Sequence, residues 1–145
     1  MTCKSLFAAA AAIFVVTTAT LAQEAAETAA SGVTLELNKL EKSDKGCRAY
    51  VVVTNTTSTT YDAYKLDLVM FQTDGVIGRR FALDLAPVRP DKRTVKLFDL
   101  DGTVCEDIGN FLVNDVMDCR TDAGPAEGCL PGLNVKSLTK AGISK

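Results

Sequence analysis

From Val33 onward the apolar residues of this chain fall at every second position, and that period constrains the fold more than any other feature. Val33, Leu35 and Leu37 alternate with Thr34, Glu36 and Asn38, and Cys47, Ala49, Val51 and Val53 alternate with Arg48, Tyr50, Val52 and Thr54. Tyr64, Leu66, Leu68 and Met70 alternate with Lys65, Asp67, Val69 and Phe71, and Phe81, Leu83 and Leu85 with Arg80, Ala82 and Asp84. Successive side chains of a strand point to opposite sides of the pleat, so each set lines one face. Turn chemistry separates the runs. Asp74-Gly75 sits between two of them as a hairpin signal, because tight turns want positive φ at their centre. Pro87 and Pro90 bracket another connection, since proline cannot donate to a ladder. A fifth strand is expected over Arg93 to Leu100, and the whole reads as an all-β, antiparallel sandwich of six to seven strands.

Residues 105–119 are ambiguous. Ile108, Phe111, Leu112, Val116 and Cys119 line one face of a helix, yet Gly109, Asn110, Val113 and Asn114 are poor helix formers and Phe111-Leu112-Val113 suits a strand. Strand is the preferred reading. Thr121 to Gly132, rich in Gly and Pro, reads as a C-terminal loop, with Val135 to Leu138 as a short edge strand.

The N-terminus has a different character. Lys4 precedes an apolar run from Leu6 to Leu21, and the polar stretch Gln23-Glu24 follows. This is the layout of a secretory signal peptide, with cleavage expected after Ala22. Thr17, Thr18 and Thr20 thin a run already short for a membrane span, and no Lys or Arg follows before Lys39 to stop transfer. Residues 23–31 read as a flexible leader and residues 32–145 as one domain, periplasmic or secreted, touching the membrane only through its signal. Removing Lys4 from the 16 Lys and Arg leaves 15 against 18 Asp and Glu, a net of −3. So weak a charge argues against nucleic acid as a partner, which demands a concentrated positive face.

Export also removes Cys3 and leaves Cys47, Cys105, Cys119 and Cys129. An even set in a small oxidised domain is most simply two disulfides, and with no CxxC and no histidine a metal site is disfavoured. If successive strands run antiparallel, Cys47 and Cys105 meet at one end of the sandwich and Cys119 and Cys129 at the other.

Catalytic equipment is sparse. Without histidine there is no Ser-His or Cys-His pair, and neither a G-x-S-x-G elbow nor a P-loop is present. Asp99, Asp101, Glu106 and Asp107 crowd one stretch, which reads as a solvated turn rather than as two carboxylates across a cleft or a calcium loop. The chain is therefore expected to be no enzyme and to need no cofactor. Candidate partner-binding residues are the basic group Arg79, Arg80, Arg89, Lys92 and Arg93, suited to an acidic protein or anionic polymer, and the apolar pair Val69 and Phe71 on the outer side of the third strand. The sequon at Asn55-Thr56-Thr57 reads as a plain turn.

Val51-Val52-Val53-Thr54-Asn55-Thr56-Thr57, then Tyr64 to Phe71, then Thr73-Asp74-Gly75, resemble the small immunoglobulin-like domains of bacterial envelope proteins, especially the FxLYD type. The resemblance covers Cys47 to Leu100, under half of the exported chain, and the cysteines depart from that pattern. It implies an immunoglobulin-like sandwich with a binding or structural habit and no catalytic residues. The function expected is a periplasmic, non-enzymatic domain that binds or supports another cell-envelope component. The alternatives are a carrier or sensor of a small anion or metal, and a hydrolase inhibitor.

Overall fold

A computed structural model describes residues 32–145; the signal segment 1–22 with its cleavage point, and the leader 23–31, lie outside the described residues. The alternating runs become strands β1 (Val33–Ser43), β2 (Gly46–Asn55), β3 (Ala63–Gln72), β4 (Ile77–Asp84) and β5 (Lys92–Asp101). A 3-10 turn at Cys105–Asp107 leads into β6 (Ile108–Thr121), followed by β7 (Gly124–Pro125), a four-residue helix α1 (Cys129–Gly132), β8 (Leu133–Ser137) and β9 (Gly142–Ser144).

These strands form two sheets. The first has the order β5-β2-β1-β8; the second runs β4-β3-β6, with β7 and β9 on the remaining edge of β6. Valines and leucines of alternating phase fill the space between. Val33, Leu35, Leu37, Cys47, Ala49, Val51 and Val53 meet Tyr64, Leu66, Leu68 and Met70, all buried. Phe81, Phe98 and Phe111 pack as an aromatic trio with ring centroids 5.3 to 6.4 Å apart, joining β4 and β6 to β5.

Nine strands replace the six to seven expected, and the sandwich is not purely antiparallel. β8 runs parallel to β1 and β9 parallel to β6. After α1 the chain lays β8 on the edge of the first sheet, turns through residues 138–141, and lays β9 on the edge of the second. The Ser137 hydroxyl pins that turn, donating to the Ala141 carbonyl at 2.6 Å and accepting the Thr139 N–H at 3.1 Å. The short edge strand expected over Val135 to Leu138 is β8, beginning two residues earlier, whereas the three-residue β9 is too short for alternation to announce it. The expected loop after Thr121 likewise holds the two-residue β7 and a single helical turn.

Residues 108–121 are strand throughout, and the helix-like spacing there has a concrete origin. In the β3–β6 ladder the register slips by one at three places, leaving Gly109, Asn114 and Met117 as extra residues on β6. Each bulge shifts the phase. The core-facing positions thus become Ile108, Phe111, Val113 and Val116, a spacing of three, two and three that mimics a helical face. Gly109 is required at its bulge, because a Cβ there would stand 2.6 Å from the Gln72 carbonyl oxygen.

Disulfides join Cys47 to Cys105 and Cys119 to Cys129, the pairing that strand direction predicts. The first ties the start of β2 to the 3-10 turn, and the second ties the end of β6 to α1, whose Cys129 carbonyl also accepts the Tyr64 hydroxyl at 2.9 Å. Burial first, and then neighbouring Tyr61, pushes the Tyr64 phenol above its ordinary pKa, so this bond persists through any physiological pH.

Candidate partner-binding surface

Because Val51, Val53, Leu35 and Leu37 point inward, their strand neighbours point outward from the first sheet. Register then sets that outer face in rows. Lys136, Glu36, Val52 and Val95 form one row across β8, β1, β2 and β5; Tyr50 lies beside Leu97 in the next, and Arg48 beside Asp99 after that. β5 carries apolar residues in both phases. Phe98 and Leu100 go to the core side, while Val95 and Leu97 stay 63% and 54% exposed. Ile77 on β4 and Met117 on β6 are as open, but Val95 and Leu97 share one face of one strand and so make a patch.

Ion pairs ring the strip. Arg48 clamps Asp99 through two hydrogen bonds of 2.7 and 3.0 Å, and this holds the Asp99 carboxyl below the usual carboxylate range. Glu36 is only 5% exposed at the sheet centre, where Lys136 at 2.8 Å and Asn38 at 2.7 Å hold it. The Lys136 bond does most to lower its pKa, and Asn38 comes next. The Tyr50 hydroxyl donates to Glu41 at 2.7 Å, and the Lys39 ammonium stands 5.4 Å from the Tyr50 ring centre. The result is an open pair, Val95 and Leu97, beside half-buried Tyr50 and buried Val52, flanked by the ion pairs Arg48–Asp99 and Lys136–Glu36.

The centre of the second sheet's outer face is closed. Val69, named from the sequence as half of an apolar patch, is 8% exposed, and Phe71 is half-buried. The reason lies in the neighbouring strands. Arg80 on β4 and Leu112 on β6 flank Val69 in register, and the Arg80 guanidinium folds onto the face to meet Asp67 with two bonds of 2.8 and 2.7 Å. Asn114, the extra residue of a bulge, adds a third bond to Asp67 at 2.6 Å. Asp67 is 5% exposed, and Arg80 first, then Asn114, lowers its pKa.

The basic group does not form one patch. Arg79 and Arg80 are consecutive on β4 and so point to opposite sides; Arg79 donates to the Asp101 carbonyl at 3.3 Å, whereas Arg80 is taken up by Asp67. Arg89 lies in the β4–β5 connection, and Arg93 stands on the outer face of the first sheet, opposite Thr54. Asn55 is fully buried, its side chain donating to Thr59 and accepting from Thr57, so the sequon is a closed turn.

A cleft of about 580 Å³ opens at one end of the sandwich among Leu40, Ile108 and Ala141, with Lys39, Lys140 and Glu106 on its walls. Among the described residues no group of three or more His, Cys, Asp or Glu is placed to hold a metal ion, and no helix is long and apolar enough to cross a membrane. Sequence reasoning missed the Tyr50–Leu97 strip. The only signal was that residues 93–100 are apolar in both phases, which leaves undecided which phase the core takes. Compared with protein-family models, curated protein sequences and solved structures, the chain gives no match.

Proposed function

We propose that this chain is an exported, non-enzymatic β-sandwich of immunoglobulin-like type that docks another cell-envelope component through the outer face of its first sheet. The observation that carries this reading is the exposure of Val95 and Leu97 beside Tyr50 and Val52, inside a frame of paired charges. An apolar centre with a polar rim is the anatomy of a protein contact. Two disulfides in so short a domain support an oxidising compartment. The grouping of strands one, two and five against three, four and six supports an immunoglobulin-like arrangement, corresponding to A, B, E over C, C′, F. A photocrosslinking residue at Leu97, activated in intact cells that export the protein, tests the proposal. One discrete adduct with a different protein, absent when Val52→Lys is added, supports it; capture of a second copy alone, or random capture of abundant proteins, overturns it.

A second reading has one specific observation in its favour. The end cleft is of ligand size and pairs an apolar floor with two lysines, which suits a small amphipathic anion. Native mass spectrometry of protein purified without chelator separates the two readings, since a carrier retains a bound mass.

A further inference from the structure

We propose that β5 pairs antiparallel with β5 of a second copy, joining the two first sheets into one continuous eight-stranded sheet. The inference is independent of the docking proposal. It begins with the way this molecule treats its sheet edges. β7, β8 and β9 are two, five and three residues long, and β4 is broken by a register slip opposite Met70 and Phe71. Short or bulged edges resist pairing with another chain. β5 is the exception: ten residues, in unbroken register with β2 from Lys92 to Asp101. Among the described residues, no backbone group of Lys92–Asp99 has a hydrogen-bond partner outside that ladder. The alternate N–H and C=O groups that face away from β2 therefore stand unpaired.

Charge selects the occupant. β5 is basic at its start, Lys92-Arg93, and acidic at its end, Asp99 and Asp101. A strand polarised in this way is complementary to itself when reversed. With Lys96 on the two-fold axis, Arg93 lies opposite Asp99 of the second copy, and Val95 lies opposite Leu97 of the second copy, each pair occurring twice on the outer face. Arg93 makes no side-chain hydrogen bond within the described residues, its charge acting on Glu36 only at a distance, and so can reach across. Lys96 meets itself, the one unfavourable pairing, but its ammonium is drawn aside to the Ala86 carbonyl at 2.7 Å. The apolar strips of both copies then merge across the axis.

Sedimentation velocity of the oxidised protein over a dilution series tests this. A dimer that dissociates on dilution is expected. Arg93→Asp sets like charges opposite each other twice and weakens dimerisation at least about tenfold. Asp99→Arg does the same, and an equimolar mixture of the two variants recovers a dimer. Since Asp99→Arg also breaks the clamp with Arg48, Arg93→Asp carries the decision, its fold checked by unchanged thermal unfolding. Amide exchange supplies a second readout: alternate amides of Lys92–Asp99 slow with concentration in the wild type and not in Arg93→Asp. A protein still monomeric at about 1 mM, or a dimer indifferent to Arg93→Asp, overturns the proposal.

Discussion

The two outer faces of the sandwich hold a central carboxylate in the same way but differ in the apolar surface they leave open beside it. Each has a carboxylate sunk at the sheet centre and held by a basic residue from a neighbouring strand, Glu36 by Lys136 on the first sheet and Asp67 by Arg80 on the second. The second sheet reaches closure through irregularity. One of the three bulges on β6 puts Asn114 on Asp67, and Arg80, in register with Val69, reaches the same carboxylate, leaving little apolar surface at its centre. The first sheet slips once, at Asn38 on β1, whose amide donates to Glu36 as Asn114 does to Asp67. Its β2–β5 ladder has no slip, and its outward residues on β5 remain where a straight strand puts them, in water. The unbroken β2–β5 ladder, not a special motif, is what exposes Val95 and Leu97, and it is also what leaves the β5 edge able to pair.

The contrast is open to measurement. The largest effect belongs to the crosslinks. Replacing Cys47 and Cys105 by Ala removes a tie across 58 residues and lowers stability by about 4 kcal/mol, whereas the same change at Cys119 and Cys129, 10 residues apart, lowers it by about 3 kcal/mol, both read from urea unfolding midpoints. Next comes the irregular sheet itself. Gly109→Ala forces a Cβ against the Gln72 backbone and lowers stability by about 1–3 kcal/mol in the same assay; a neutral result would mean that the bulge yields freely.

The two carboxylates give a smaller, pH-dependent effect. Both have folded pKa values below their ordinary ones, so their contribution is complete above the unfolded values of 3.8 and 4.5 and is lost as pH falls through the lowered folded values. Thermal unfolding followed below pH 4 should therefore show a declining melting temperature whose slope flattens in Asp67→Asn and in Glu36→Gln. Smallest in stability is Leu97→Glu, within about 0.5 kcal/mol of wild type, although the same change eliminates the adduct captured by a photocrosslinking residue placed at Val95.

The core phases of β1 to β4 were legible because those strands are long and each has one face against the interior: the residues expected inward, from Val33 to Leu85, are the buried ones, with Phe81 half-buried. The disulfide partners followed from strand direction alone. Less could be read where a second physical constraint overrode the period. On β6 the bulges turned alternation into a helix-like spacing; β8 was expected as an edge strand but its parallel direction was not, and β9 is shorter than the pattern needs. The surface strip was hidden for another reason. Val95 and Leu97 look like core residues until Phe98 and Leu100 are known to occupy the inner side. Likewise Arg79, Arg80, Arg89 and Arg93 are neighbours along the chain, but pleating and a sheet boundary send them to separate surfaces.

The segment from Leu133 to Ser144 supplies a strand to each sheet, and its Leu133 and Ala141 are buried in the shared interior. A chain delivered from its N-terminus therefore cannot finish either layer until this stretch has been released. Before that moment β1 and β6 each wait with one flank bare and the interior open on that side. Completion is thus a late, single act of closure, and the long-range pairing of β1 with β8, separated by some hundred residues, sets when the molecule first becomes safe from its neighbours.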